Sequence, residues 1–333
     1  MAMARNNAAE TAETTAGEAH TVLIGLSAAI VSVTEERPLV LIVHRGEDAD
    51  ALPFGTFDPL SHRTLESGLR NWVAEQTRLQ LGYVEQLYTF GDRGRHLTRP
   101  GEGPRVLSVG YLALTRPQDN REPETLWRDW YGYFPWEDWR EQKPPIIDAL
   151  VMPRLAQFVA GAPNAELRRS RQDRVRLCFG SDGIGWDEEK VLERYELLYE
   201  AGLVREAQRD RQVAPVGGPM PPLGAAMVFD HRRILATAMG RLRGKMKYRP
   251  VVFELMPPEF TLLELQHTVE ALSGIRLHKQ NFRRLVEAQG LVEGTGRLSR
   301  KAGGRPAEQF RFRREVLRER PTPGVRLTPS RTR

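Results

Sequence analysis

The chain has 333 residues, 40% of them hydrophobic, which is enough for two or three small domains, each with its own core. Its one cysteine, Cys178, excludes an intramolecular disulfide and a paired-cysteine zinc site, and reads as a small buried apolar residue. The formal net charge of +6 is unevenly placed: from Ala225 onward 23 Lys and Arg face 10 Asp and Glu, so about +13 lies there and about −7 in the first 224 residues. That asymmetry is the footprint of a phosphate-neutralising module beside one that is not.

Residues 1–20 lack the apolar core of a signal peptide and are expected to be a disordered lead-in. No apolar run approaches the roughly 20 residues of a membrane span, so a soluble, cytoplasmic protein with no membrane partner is expected. Runs at 21–34 and 39–44 are β-rich and meet at a polar turn, Glu35-Glu36-Arg37-Pro38. Residues 64–81 have helical periodicity, with Leu65, Leu69, Trp72 and Val73 on one side and Gln76 and Leu79 following less cleanly. Strands are predicted at 84–90 and 106–115. Four of the six tryptophans crowd into 126–139, where Trp127 and Trp130 suit core packing better than stacking on a base.

A helix is predicted over 144–160, a polar basic connection over 161–172 and a short strand over 174–179. Asp187 is placed to cap an amphipathic helix closed by Gly202, and 208–224 reads as a linker. Asp230 then caps HRRILATAMGRLRGKM, which leads into the basic C-terminal region.

That region reads helix, turn, basic helix, hairpin. Thr261 and Glu264 form a capping box, with Phe260 and Leu265 as a hydrophobic staple. Leu262, Leu265, Val269 and Leu272 make one stripe, and Ser273-Gly274 ends the helix. A second helix runs from about His278 to a C′ glycine, Gly290. Phe282, Leu285, Val286 and Gln289 share one face; Gln280, Arg283, Arg284 and Glu287 share the other, flanked by Lys279 and Asn281. Arg, Lys, Gln and Asn match base edges and phosphates. Residues 291–293 read as a strand, Gly294-Thr295-Gly296 as a turn, and Phe310 and Phe312 as the returning strand; Arg297, Arg300, Lys301 and Arg305 lie between. This is the plan of a winged helix-turn-helix. Its candidate DNA-binding residues are Thr261, Lys279, Gln280, Asn281, Arg283, Arg284, Arg297, Arg300, Lys301 and Arg305.

Two β-runs, then LPFG at 52–55, then a helix with Arg70, Glu75 and EQTRL resemble a Nudix domain. The family's glutamates hold Mg²⁺ against a diphosphate. Here the signature is eroded. Ser61 stands where its first Glu belongs and Asn71 follows Arg70; of the paired glutamates only Glu75 survives, beside Ala74 or Gln76, and Thr77 or Arg78 replaces the last Gly.

Together with DHRRIL, KQNFRRLVEAQGLVE and GRPAEQFRF, the chain resembles the Nudix-related transcriptional regulators of NAD metabolism, the NrtR family, in its NadQ-like branch. The resemblance covers about 21–135 and 225–313. It implies an α+β protein: an N-terminal degenerate Nudix-like α/β/α sandwich at 21–145, an insertion or linker with an amphipathic helix at 146–224, a winged helix-turn-helix at 225–313 and a basic tail at 314–333.

By resemblance it is a homodimeric repressor of NAD-synthesis or salvage genes that binds palindromic double-stranded operator DNA. Its sensor domain is expected to be catalytically inactive, with no metal and no required cofactor. The effector is expected to be an NAD-related nucleotide such as NAD, ADP-ribose or ATP. The alternative is an active Nudix pyrophosphatase with an accessory DNA-binding domain. Candidate effector residues are Arg45, Arg70, Glu75, Arg93 and Arg95, the last two in a turn that Gly91 and Gly94 make permissive.

Overall fold

A computed structural model of the chain describes residues 22–44, 50–92, 105–116, 125–211, 218–219, 223–299, 306–319 and 324–325. The expected lead-in lies outside them. The N-terminal sheet runs β3-β2-β1-β6-β5, with β4 paired to β1 and β7 to β2. Its strands are β1 (Val22–Thr34), β2 (Arg37–His44), β3 (Asp50–Ala51), β4 (Phe54–Thr56), β5 (Tyr83–Phe90), β6 (Arg105–Leu114) and β7 (Thr125–Asp129). β1 and β6 are parallel; every other pair in this sheet is antiparallel.

The apolar run in β1 is continuous because both faces of the sheet are covered. Leu26, Ala28 and Ile30 face α1 (Leu65–Thr77), where Leu69 and Val73 bury; Ala29 and Val31 face the larger core, which includes Ile234 and Ala238 of α6 (His231–Met246). This is the α/β/α sandwich. α1 stops four residues short of expectation, because Arg78 takes a left-handed conformation (φ 57°) and its N–H donates to the Ala74 carbonyl.

The β1–β2 hairpin turns on Glu35 and Glu36 at φ 48° and 63°. Such primed turns normally take Asn or Gly, so two glutamates there carry local strain.

The expected insertion or linker at 146–224 is largely helical among its described residues. A π-helical turn, Ile147–Val151, runs into α2 (Met152–Ala160), followed by α3 (Ala165–Phe179), α4 (Val191–Glu200) and α5 (Arg205–Arg211). Leu155, Phe158, Val175, Cys178, Phe179, Tyr195 and Leu198 join the same core as α6. The expected basic connection and the expected strand are both α3. Asn164 caps it, accepting from the Leu167 N–H at 2.8 Å, and Gly180 (φ 65°) ends it. The alternation in RVRLCF suggested a strand, but Val175, Cys178 and Phe179 bury at helical spacing.

Trp130 is fully buried and Trp127 packs beside α1, so both tryptophans serve the core. Three buried ion pairs lie among the described residues of this body. Glu137 accepts from Arg194 (2.6 and 2.9 Å) and from Arg243 (2.7 Å), all three without exposure. Arg243 also donates to the carbonyls of Glu188 and Leu272, both at 2.9 Å, so one α6 side chain joins the N-terminal domain, the helical layer and α7. Nearby, Arg232 pairs with Glu206 at 3.1 Å.

The C-terminal domain comprises α7 (Leu262–Ser273), α8 (Lys279–Ala288), β8 (Val292–Ser299) and β9 (Ala307–Phe312), with α9 (Val316–Glu319) following. β8 runs straight through the expected Gly294-Thr295-Gly296 turn. The glycines serve a register shift between Gly294 and Leu298 instead, with Gly296 at φ 72°, so the hairpin loop comes later. The described part of the tail is packed: Val316 and Val325 are buried, and the Val325 N–H donates to the Met246 carbonyl at 2.7 Å.

Candidate functional site

The basic face is built by the helix-turn-helix. Thr261 accepts from the Glu264 N–H at 3.2 Å while Glu264 accepts from the Thr261 N–H at 2.8 Å. The staple residues Phe260 and Leu265 are buried. Thr261, a candidate DNA-binding residue, is 8% exposed, and its hydroxyl is bonded within the cap.

Gly274 (φ 73°) makes the turn, and a Cβ there would lie 2.5 Å from the Glu137 carbonyl oxygen, so sensor and turn are in direct contact. Arg276, in the same turn, is held by Glu270 (2.9 Å), Glu141 (2.8 Å) and Glu36 (3.4 Å); His267 of α7 meets Glu36 at 2.8 Å. The strained β1–β2 hairpin thus clasps the segment just before α8.

On α8, Phe282 and Val286 are buried and Leu285 partly so; Lys279, Gln280, Asn281, Arg283 and Arg284 are exposed. Arg283 pairs with Glu287 at 2.8 Å and Arg284 donates to Asn281 Oδ1 at 2.6 Å, which pre-orders the outward face. Arg297 stands on β8, 71% exposed, bonded to Glu259 at 2.9 Å. Arg300, Lys301 and Arg305 lie outside the described residues.

Of the five effector candidates, Arg45, Arg93 and Arg95 lie outside the described residues. Arg70 donates to the carbonyls of Leu81 (2.5 Å) and Gly82 (3.2 Å) and pairs with Glu66 at 2.8 Å, so it ties down the α1–β5 connection. Glu75 is exposed. Its neighbour Gln76 faces the Gly55 loop, accepting from the Phe54 N–H at 3.2 Å and donating to the Phe54 carbonyl at 2.6 Å. Among the described residues no group of three or more His, Cys, Asp or Glu is placed to hold a metal.

Sequence reasoning missed a cavity of about 430 Å³ between the sheet, α1 and the start of α6. Phe54, Trp72 and Phe229 wall it, and Ser27, Ser108 and His231 supply its polar groups. Ser27 Oγ lies 3.5 Å from Ser108 Oγ and 3.4 Å from His231 Nε2. A signal was present: Ser27 and Ser108 are small polar residues inside strongly apolar strands.

Residues 252–312 match the model of the NrtR DNA-binding winged helix domain. The whole fold resembles the crystal structure of Shewanella oneidensis NrtR complexed with a 27mer DNA, at TM-score 0.52 and 20% identity, covering 89% of this chain and 95% of that one. The chain thus carries an NrtR-type winged helix and shares the overall fold of that structure. A second crystal structure of Shewanella oneidensis NrtR compares similarly, at TM-score 0.51 and 21% identity over 88% and 95% of the two chains.

A curated relative, the ADPR responsive transcriptional repressor NtrR of Acinetobacter baylyi, is 44% identical over 86 residues. That stretch spans 26% of this chain and 34% of the relative's length. Among the described residues no helix is long and apolar enough to cross a membrane.

Proposed function

We propose that the protein is a metabolite-responsive transcriptional repressor that binds a palindromic operator through α8 and the wing, and whose Nudix-like domain senses ADP-ribose or a related nucleotide. The observation that carries this reading is the placement of the exposed basic face of α8 on a domain clasped directly to a sensor-type sheet. The repressor relative named as ADPR responsive supports the choice of effector. ADP-ribose is a cleavage product of NAD, so genes of NAD synthesis or salvage are the expected targets.

We further propose that the Nudix-like domain is catalytically silent and that the protein acts in the cytoplasm as a homodimer. A single recognition helix reads too few bases for an operator, and two-fold symmetry doubles them. The test is to select duplexes from a random pool, then follow fluorescence anisotropy of the selected site with and without ADP-ribose. A palindromic consensus and an effector-dependent shift support the reading; salt-sensitive binding without sequence preference sinks it.

A further inference from the structure

The charges of α8 run against its own dipole. Lys279 opens the helix, no carboxylate stands in the first turn, and Glu287 is next to last. A helix favours the reverse, acids at the start and bases at the end. The Arg283–Glu287 pair is also in the less favourable order, with the base four residues before the acid. Helix stability therefore gives no reason for a carboxylate at 287, and a surface that meets phosphates gives a reason against one. Glu287 nonetheless shares the outward face with Gln280, Arg283 and Arg284, its side chain 44% exposed.

The way the pair is made suggests what the carboxylate does. Arg283 donates to Glu287 Oε1 through Nε, at 2.8 Å. Its two terminal nitrogens have no partner among the described residues. Those nitrogens form the fork that matches guanine O6 and N7, and anchoring at Nε fixes the plane of the fork. Glu287 Oε2 also has no partner among the described residues, and a carboxylate oxygen accepts from the N4 amino group of cytosine. Arg284 is held differently, by the neutral Oδ1 of Asn281 at 2.6 Å, which brings no negative charge to the face.

We propose that Glu287 is a specificity-determining residue of α8: it holds Arg283 in the plane of a guanine and accepts from a cytosine in the same or the adjoining base pair. The proposal rests on the operator reading above and adds the base step that this turn of α8 reads. The same carboxylate repels DNA that presents only acceptors there, so Glu287 works against wrong sequences as well as for the right one.

The test begins with duplexes that the wild-type full chain selects from a random pool. Anisotropy titrations then compare wild type, Arg283→Ala, Glu287→Gln and Glu287→Ala on the consensus, on each single base-pair change of it and on a scrambled duplex. The base preference that Arg283→Ala removes is for a guanine. Discrimination at that guanine falls roughly five- to tenfold in Glu287→Ala and by less in Glu287→Gln, whose amide oxygen still accepts from Nε. Both Glu287 variants bind the scrambled duplex roughly two- to fivefold tighter, because a charge of the same sign as the phosphates is gone.

A purely structural role would instead weaken consensus and scrambled duplexes alike, and that result overturns the proposal. Undiminished discrimination in Glu287→Ala overturns it too, as does a consensus in which no guanine depends on Arg283. Each of these leaves the operator reading standing. A wild type that selects no consensus removes both readings together.

Discussion

Gln76 ties α1 to the Gly55 loop by a two-way amide pairing. Its amide both donates to and accepts from the Phe54 backbone, a pairing that a carboxylate cannot complete because it has no proton to donate. Glu75 is left as the surviving glutamate of the signature pair, and productive Mg²⁺ binding needs more than one converging carboxylate. Purified protein with Mg²⁺ or Mn²⁺ and ADP-ribose is expected to show no more than trace turnover. Robust hydrolysis abolished by Glu75→Gln would reverse the assignment to an enzyme.

Glu137 presents the opposite case, a carboxylate whose charge is indispensable. Burial raises its pKa, but Arg194 and Arg243 outweigh burial and hold it below its ordinary value of 4.5. The native state therefore binds fewer protons than the unfolded chain. The resulting stabilisation is complete above about pH 4.5 and is lost as acidification passes through the depressed folded-state value. Glu137→Gln leaves two buried guanidiniums facing a neutral amide and is expected to cost roughly 3–5 kcal/mol. Urea denaturation at pH 7 and pH 4 measures both effects, with a smaller deficit at the lower pH.

At the scale of elements, the proposed operator binding assigns base contacts to α8 and phosphate contacts to β8. Substituting Gln280, Arg283 or Arg284 by Ala should cost about 1–3 kcal/mol per lost base contact and relax selectivity at that position. Arg297→Ala should act evenly across sequences and flatten the slope of log affinity against log salt by about one unit. Anisotropy titrations on specific and scrambled duplexes at several salt concentrations separate the two patterns.

These elements were legible in the sequence for a local reason. The cap of α7 is set by residues three apart, and the outward face of α8 by i, i+3 and i+4 spacing. The errors fell where long-range packing decides. α3 was divided into loop and strand because its arginines mask the stripe of Val175, Cys178 and Phe179, which makes sense only against α2 and α4. The cavity was hidden for the same reason. Ser27 meets Ser108 across 81 residues and His231 across 204, and no sequence spacing expresses that.

Considered whole, the molecule joins the start of α6 to the exposed basic face of α8 by one route. His231 opens α6, Arg243 near its end holds the α7 carbonyl, and the Glu36 clasp holds Arg276 just before α8. Only an effector with different affinities for the DNA-competent and incompetent arrangements moves the equilibrium along this route. By linkage, operator DNA must change effector affinity by the same factor that effector changes DNA affinity, typically 5–150-fold. Titrating ADP-ribose into protein with and without saturating operator measures that factor directly; two unequal factors would exclude a single coupled equilibrium.

Cys178 turns this arrangement into something a spectrophotometer can follow. It is the chain's sole thiol, it is 6% exposed, and burial pushes its pKa up, so the closed molecule should react sluggishly with a disulfide reagent. Its backbone carbonyl accepts from Arg194, which ties the residue to the Glu137 junction. Every labelling event then reports a transient parting of α3 from α4. Labelling should quicken in Glu137→Gln, and a nucleotide that tightens the junction should slow it, so the native protein carries a clock for its own opening.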